Sequence, residues 1–178
     1  MGTRFEDCLA LILQFEGGYS DNPDDPGGAT CDGIEQPEYD TYRESIGETA
    51  QTVADITTTE AGAIYAANYW APTHAPYLQS PLDVVMFDSA VNCGVGTAIK
   101  WLQAALGIPQ TRVFDNDTSA AYHLYDNAHG TTPLAQAVLR QRVAYYETLP
   151  QKNPALAEFL QGWLNRVNEL QRCAGLAE

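Results

Sequence analysis

Lysine is nearly missing. Lys100 and Lys152 are the only two, and the nine basic residues face 23 acids for a net charge of −14. So negative a field repels phosphates and anionic lipid, which argues against nucleic acid and membrane surfaces as partners. The charge itself has two readings: solubility, or salty surroundings in which screening shortens to ~3 Å at 1 M. Long apolar runs are also lacking, and nothing approaches the ~18 residues of a membrane span. The opening MGTRFEDC has neither a basic n-region nor a small-residue cleavage site, so no secretory signal is expected. Met1-Gly2-Thr3 begins like a myristoylation site, but Glu6 stands where that pattern needs Ser or Thr. Cys8, Cys31, Cys93 and Cys173 form no CxxC pair, and His74, His123 and His129 are not spaced to complete a zinc site. Free buried thiols are therefore expected, with a Cys31–Cys93 bridge as the alternative outside a cell.

What remains is ordinary globular material, 178 residues of which 45% are hydrophobic, enough for one domain with a sizeable core. Phe5, Cys8, Leu9, Ile12 and Phe15 fall at i, i+3, i+4, i+7 and i+10, a core-facing helical stripe. Glu16, at i+11, continues that stripe, and Gly17-Gly18 predicts the helix end. Residues 19–43 show no sustained period, which predicts a long ordered loop or a short two-stranded ribbon. Thr57 to Glu60 offers a capping box for a helix near 59–70. Ser80-Pro81 starts another, with proline at the first helical position, stopping near Asn92-Cys93-Gly94. Further helices are predicted at about 95–106, 117–127, 132–149 and 154–172. The expected class is all-α, mainly helical, with a small irregular loop or β-ribbon after the first helix. Residues 76–82 are the candidate joint between two lobes.

The polar stretch FEGGYSDNPDDPGGATCDGI at 15–34 carries the chemistry. An inward carboxyl at the negative end of a helix favours the protonated form that a general acid needs. Asp25, nine residues after Glu16, stands beside Pro26-Gly27-Gly28, whose backbone N–H groups can hold it ionised. Two carboxyls in opposite protonation states suit glycoside hydrolysis, and Thr30 offers a hydroxyl to orient a water. The plainer reading is Asp-Pro turn chemistry. Asp21, Asn22, Asp24 and Asp25 also suggest calcium. However, the glycine at the sixth position and the glutamate at the twelfth position of an EF-hand are absent, so no metal is expected.

EGGYSDNPDDPGGATCDGI closely resembles the signature of glycoside hydrolase family 108, the N-acetylmuramidases of phage endolysins and some bacterial lytic secretion systems. IYAANYW (64–70), VMFDSAVNCGVGTAIKWLQAALG (85–107) and FLQGWLNRV (159–167) are similar to its later segments, so the likeness spans nearly the whole chain. The resemblance implies a helical, lysozyme-like fold over 1–178, with a catalytic lobe 1–80 and a peptidoglycan-binding-like lobe 81–178. It implies cleavage of the β-1,4 bond between N-acetylmuramic acid and N-acetylglucosamine. Glu16 would be the acid, Asp25 the base or charge stabiliser, and Thr30 the residue that positions water, with no cofactor. Cys31-Asp32 replaces an Asn-Tyr pair usual in the family, and RVFDNDT at 112–118 only loosely follows its later turn.

Tyr19, Trp70, Asp88, Asn92 and Tyr146 are the candidate glycan contacts. Trp101 and Trp163 are expected in the core, and of Tyr145 and Tyr146 one is expected buried. Arg140 and Arg142 are the candidate positive patch. The expected protein is a monomer made in the cytoplasm of the producing cell, acting on peptidoglycan after release. The alternatives are a non-catalytic peptidoglycan-binding protein or a calcium-binding structural protein of a phage or secretion assembly.

Overall fold

Thr3 and Glu6 exchange hydrogen bonds across the first turn of helix α1 (Arg4–Glu16), a capping box that fixes its start. The apolar stripe then does what its spacing requires: Cys8, Leu9 and Ile12 are buried. Gly17 ends the helix in the left-handed conformation, φ 84 and ψ 16. The computed structural model describes residues 2–18, 20 and 29–176. It divides into two compact units, Met1–Asn68 and Tyr69–Glu178. The division falls inside a π-helical turn, Ala66–Trp70, upstream of the 76–82 stretch.

In the first unit, strands β1 (Thr30–Cys31) and β2 (Ile34–Glu35) pair antiparallel, with Cys31 opposite Ile34. The ribbon expectation therefore holds, but 19–43 is not irregular to its end. Helix α2 (Gln36–Ser45) follows the ribbon directly, with Pro37 in its first turn and Tyr39 buried. Proline there gives up an N–H that has no helical partner anyway. Helix α3 (Thr58–Tyr65) packs on α1 and starts at the Thr57–Glu60 capping box.

In the second unit, helix α4 (Leu82–Cys93) is the centre. Its first nine residues, Leu82 to Ala90, are all buried, so it is enclosed on every side. Each of Leu82, Met86 and Phe87 contributes roughly 1.5–3 kcal/mol by leaving water. Pro81 sits at the N-cap rather than the first helical position. Around α4 pack α5 (Val95–Ala105) and α7 (Thr132–Lys152), and α8 (Leu160–Cys173) packs on α7. Asp115 caps α6 (Asn116–His129) through the Thr118 N–H.

Three sequence expectations need correction here. Helix α7 runs past Pro150, because a proline in the last turn forfeits one hydrogen bond while Asn153 N still reaches Leu149 O at 2.9 Å. The last helix is preceded by a 3-10 stretch at Pro154–Phe159. All four cysteines are free thiols, and of them only Cys8 is buried, so the expectation of buried thiols fails for exposed Cys173. No helix among the described residues is long and apolar enough to cross a membrane.

Candidate active site

Glu16 is the last residue of α1, and what happens next in the chain decides its surroundings. Gly18 O accepts a hydrogen bond from Asp32 N at 3.2 Å, and Ser20 and Thr30 exchange two backbone hydrogen bonds at 2.8 Å each. The β1–β2 hairpin is thereby tied to the end of α1. Its two turn residues, Asp32 (φ 51) and Gly33 (φ 75), are both left-handed, the pattern of a type I′ turn.

Gly33 is needed there for space as well. A Cβ at that position would lie 2.9 Å from Glu16 Oε2 and 2.9 Å from Tyr65 Oη. The carboxyl of α1 and the phenol of α3 therefore share the room that the bare glycine leaves. Tyr65 is 2% exposed, and its hydroxyl donates to Asp32 O at 2.7 Å. Thr30 is half-buried, with its backbone paired to Ser20 on one side and Glu35 on the other. Asp25 and Tyr19 lie outside the described residues.

The remaining candidates belong to the second unit. Asp88, Asn92 and Tyr146 come together there, on two arginines that the sequence did not single out for this. Asp88 is fully buried; one carboxylate oxygen accepts from Arg142 Nη1, the other from Arg166 Nε at 3.0 Å and Nη2 at 2.7 Å. Burial alone would push the Asp88 carboxyl up, but the two arginines outweigh it and hold it below the usual carboxylate range. Since Arg166 only donates, Asn92 turns its carbonyl toward it, at 2.9 Å, and gives its amide N–H to Tyr146 Oη at 3.2 Å. Tyr146 Oη also accepts from Arg142 Nε at 2.9 Å, which leaves its own proton for Cys93 Sγ at 3.4 Å. Burial raises both the Tyr146 phenol and the Cys93 thiol above their ordinary values.

Several assignments change with this network. Arg142 is fully buried, so it cannot belong to a surface patch with exposed Arg140. Tyr146 is the buried phenol of its pair, 3% exposed, while Tyr145 is the exposed one. The reason is that Trp163 stacks over the Tyr146 ring at 5.2 Å while its hydroxyl is held below. Trp70 is a core ring, set edge-on against Phe87 at 5.1 Å. Trp101 is buried as expected, but Trp163 is only half-buried and stacks with exposed Phe159.

The glycosyl hydrolase 108 family model matches residues 9–94, which contain α1 from Leu9 to Glu16, the hairpin and Tyr65. A second model, for a predicted peptidoglycan domain, matches residues 97–168 directly after it. Residues 9–94 therefore belong to glycosyl hydrolase family 108. A solved structure of Brucella abortus SagA is similar over 96% of this chain and 92% of that one, at 28% identity and a TM-score of 0.77. No curated protein matches. The first match makes the chain a glycoside hydrolase and the second makes peptidoglycan its partner, on a fold that is mainly helical and lysozyme-like. Within that frame, sequence reasoning passed over Gly33, Tyr65 and Arg166. The Asp32-Gly33 pair was a legible hairpin signal, whereas nothing in the local pattern marks Tyr65 or Arg166.

Proposed function

We propose that this family 108 chain is an N-acetylmuramidase that cuts the β-1,4 bond between N-acetylmuramic acid and N-acetylglucosamine. The observation that carries the reading is the Glu16 carboxyl, placed at the end of α1 and lodged against a glycine turn that is tied to the same helix end. A general acid must be held where the leaving oxygen will arrive, and a carboxyl on a helix terminus braced by a hairpin is so held.

In the reaction, Glu16 gives its proton to the glycosidic oxygen as the bond from the muramic acid C1 breaks. Water adds to that carbon; either Asp25 takes the water's proton, or Asp25 supports the oxocarbenium charge while the Glu16 carboxylate takes the proton back. Thr30 orients the water. No metal or cofactor takes part. Phe159 and Trp163, stacked and partly open, are apolar faces of the kind that sugar rings stack on. The enzyme works as a monomer, is made in the cytoplasm, and meets the wall after release, as an endolysin does.

The test is reducing-end release from purified peptidoglycan, comparing wild type with Glu16→Gln and identifying the new reducing sugar by mass spectrometry. Muramic acid ends from wild type, with at least a 100-fold loss in a folded Glu16→Gln, support the reading. Glucosamine ends would overturn the bond assignment, and an active Glu16→Gln would overturn the acid. Wall binding with no release from either protein would instead make the chain a non-catalytic binder.

A further inference from the structure

Tyr65 and Gly33 have no role in the reaction as written, yet the position a Gly33 Cβ would occupy lies 2.9 Å from both Glu16 Oε2 and Tyr65 Oη. We infer that they form a seat that positions the Glu16 carboxyl, with Tyr65 as a positioning residue for the reaction. The inference rests on the reading of Glu16 as the acid.

The seat has three sides. Gly33 supplies the floor: with no Cβ, it lets Glu16 Oε2 and Tyr65 Oη come to within 2.9 Å of the place where that atom would be. The two oxygens therefore lie within twice that distance of each other. Tyr65 supplies a wall. Its ring is buried in α3, and its hydroxyl is fixed by donating to Asp32 O at 2.7 Å. The end of α1 supplies the third side through Gly18 O, which accepts from Asp32 N. One turn residue, Asp32, is thus gripped from both flanks, by Tyr65 through its carbonyl and by Gly18 through its N–H. That grip sets the height of Gly33 under the carboxyl.

The direction of the Tyr65 hydrogen bond has a chemical consequence. A phenol has one proton, and here Asp32 O receives it. Toward Glu16 the phenol oxygen can only accept, which is the complement of a carboxyl O–H. The seat is thus shaped for the acid that delivers a proton. A shift of about 1 Å in a reacting group can cost ~100-fold in rate, so a loose seat reads out in turnover rather than in binding.

The experiment compares four variants on soluble, sonicated peptidoglycan. Tyr65→Phe keeps the ring but loses the hydroxyl. Gly33→Ala keeps the phenol but drives a methyl against both the carboxyl and the Tyr65 hydroxyl. Tyr39→Phe is the control, a buried phenol of the same unit whose hydroxyl bonds Glu60 at 3.0 Å, away from Glu16. Glu16→Gln is the reference for loss of the acid.

The expected result is a kcat lowered ~10–100-fold in Tyr65→Phe and in Gly33→Ala, with KM within about twofold of wild type. Tyr39→Phe is expected to lose thermal stability but keep kcat. Circular dichroism confirms the fold of each variant before kinetics. Wild-type kcat in folded Tyr65→Phe overturns the seat, as does an equal fall in Tyr39→Phe, which would show general loosening of the unit. An inert Glu16→Gln beside a fully active Tyr65→Phe defeats the seat alone. A fully active Glu16→Gln defeats the acid reading on which the seat depends.

Discussion

Asp88 shows what a single side chain does in the core of the second unit. Its carboxylate is fully buried and bridges Arg142 on α7 to Arg166 on α8, while belonging itself to α4. Removing one partner of a buried pair leaves the other charges uncompensated. Asp88→Asn should therefore lower stability by about 3–5 kcal/mol, measured by urea unfolding. The sequence placed Asp88 and Asn92 one turn apart and asked for partners, but the partners stand more than 50 residues away in the chain. No local pattern carries that information. By contrast, Glu16 was legible, because the stripe from Phe5 to Phe15 and the glycines after it state where the helix ends and which way its last residue points.

At the scale of elements, Glu60 joins α2 to α3. It closes the capping box with Thr57, and its other oxygen accepts from Tyr39 Oη at 3.0 Å and Arg43 Nη1 at 2.8 Å. The Thr57 N–H is the largest influence, and these bonds together pull the carboxyl down to about 2. A carboxyl depressed in the folded state stabilises it above the unfolded value, about 4.3, and loses that contribution as pH falls toward 2. Glu60→Gln should cost about 1–2 kcal/mol at neutral pH. The Tm difference from wild type should shrink between pH 5 and pH 2; a constant gap would refute the assignment. Of these elements α3 was legible in the sequence through its capping box, whereas α2 was hidden. Gln36 to Ser45 is mostly polar, and a buried Tyr39 alone does not make a periodic stripe. The Pro37-Glu38 start was the available signal.

For the whole molecule, the dominant property is its net charge of −14. Two of its arginines do little to relieve it outside, since Arg142 is fully buried and Arg166 is turned inward onto Asp88. Peptidoglycan and its attached polymers are largely anionic, so encounter should be slowed at low salt and helped by screening. Activity on whole walls should therefore rise with added sodium chloride before it falls. A steady decline from the lowest salt, in turbidity assays at fixed pH, would refute this. Charge and its sign were fully readable in the sequence. Which arginines are hidden was not, because burial of a cation is decided by the carboxylate that awaits it.

Gly33 leaves the protein little evolutionary freedom. Its positive φ admits glycine and, at some strain, asparagine or aspartate, and any side chain there must push the Glu16 carboxyl or the Tyr65 phenol aside. A lineage in which this codon drifted would have to move Glu16 or Tyr65 in the same step. Two coupled changes are far rarer than one, so the turn acts as a ratchet that holds the neighbouring acid in place across generations.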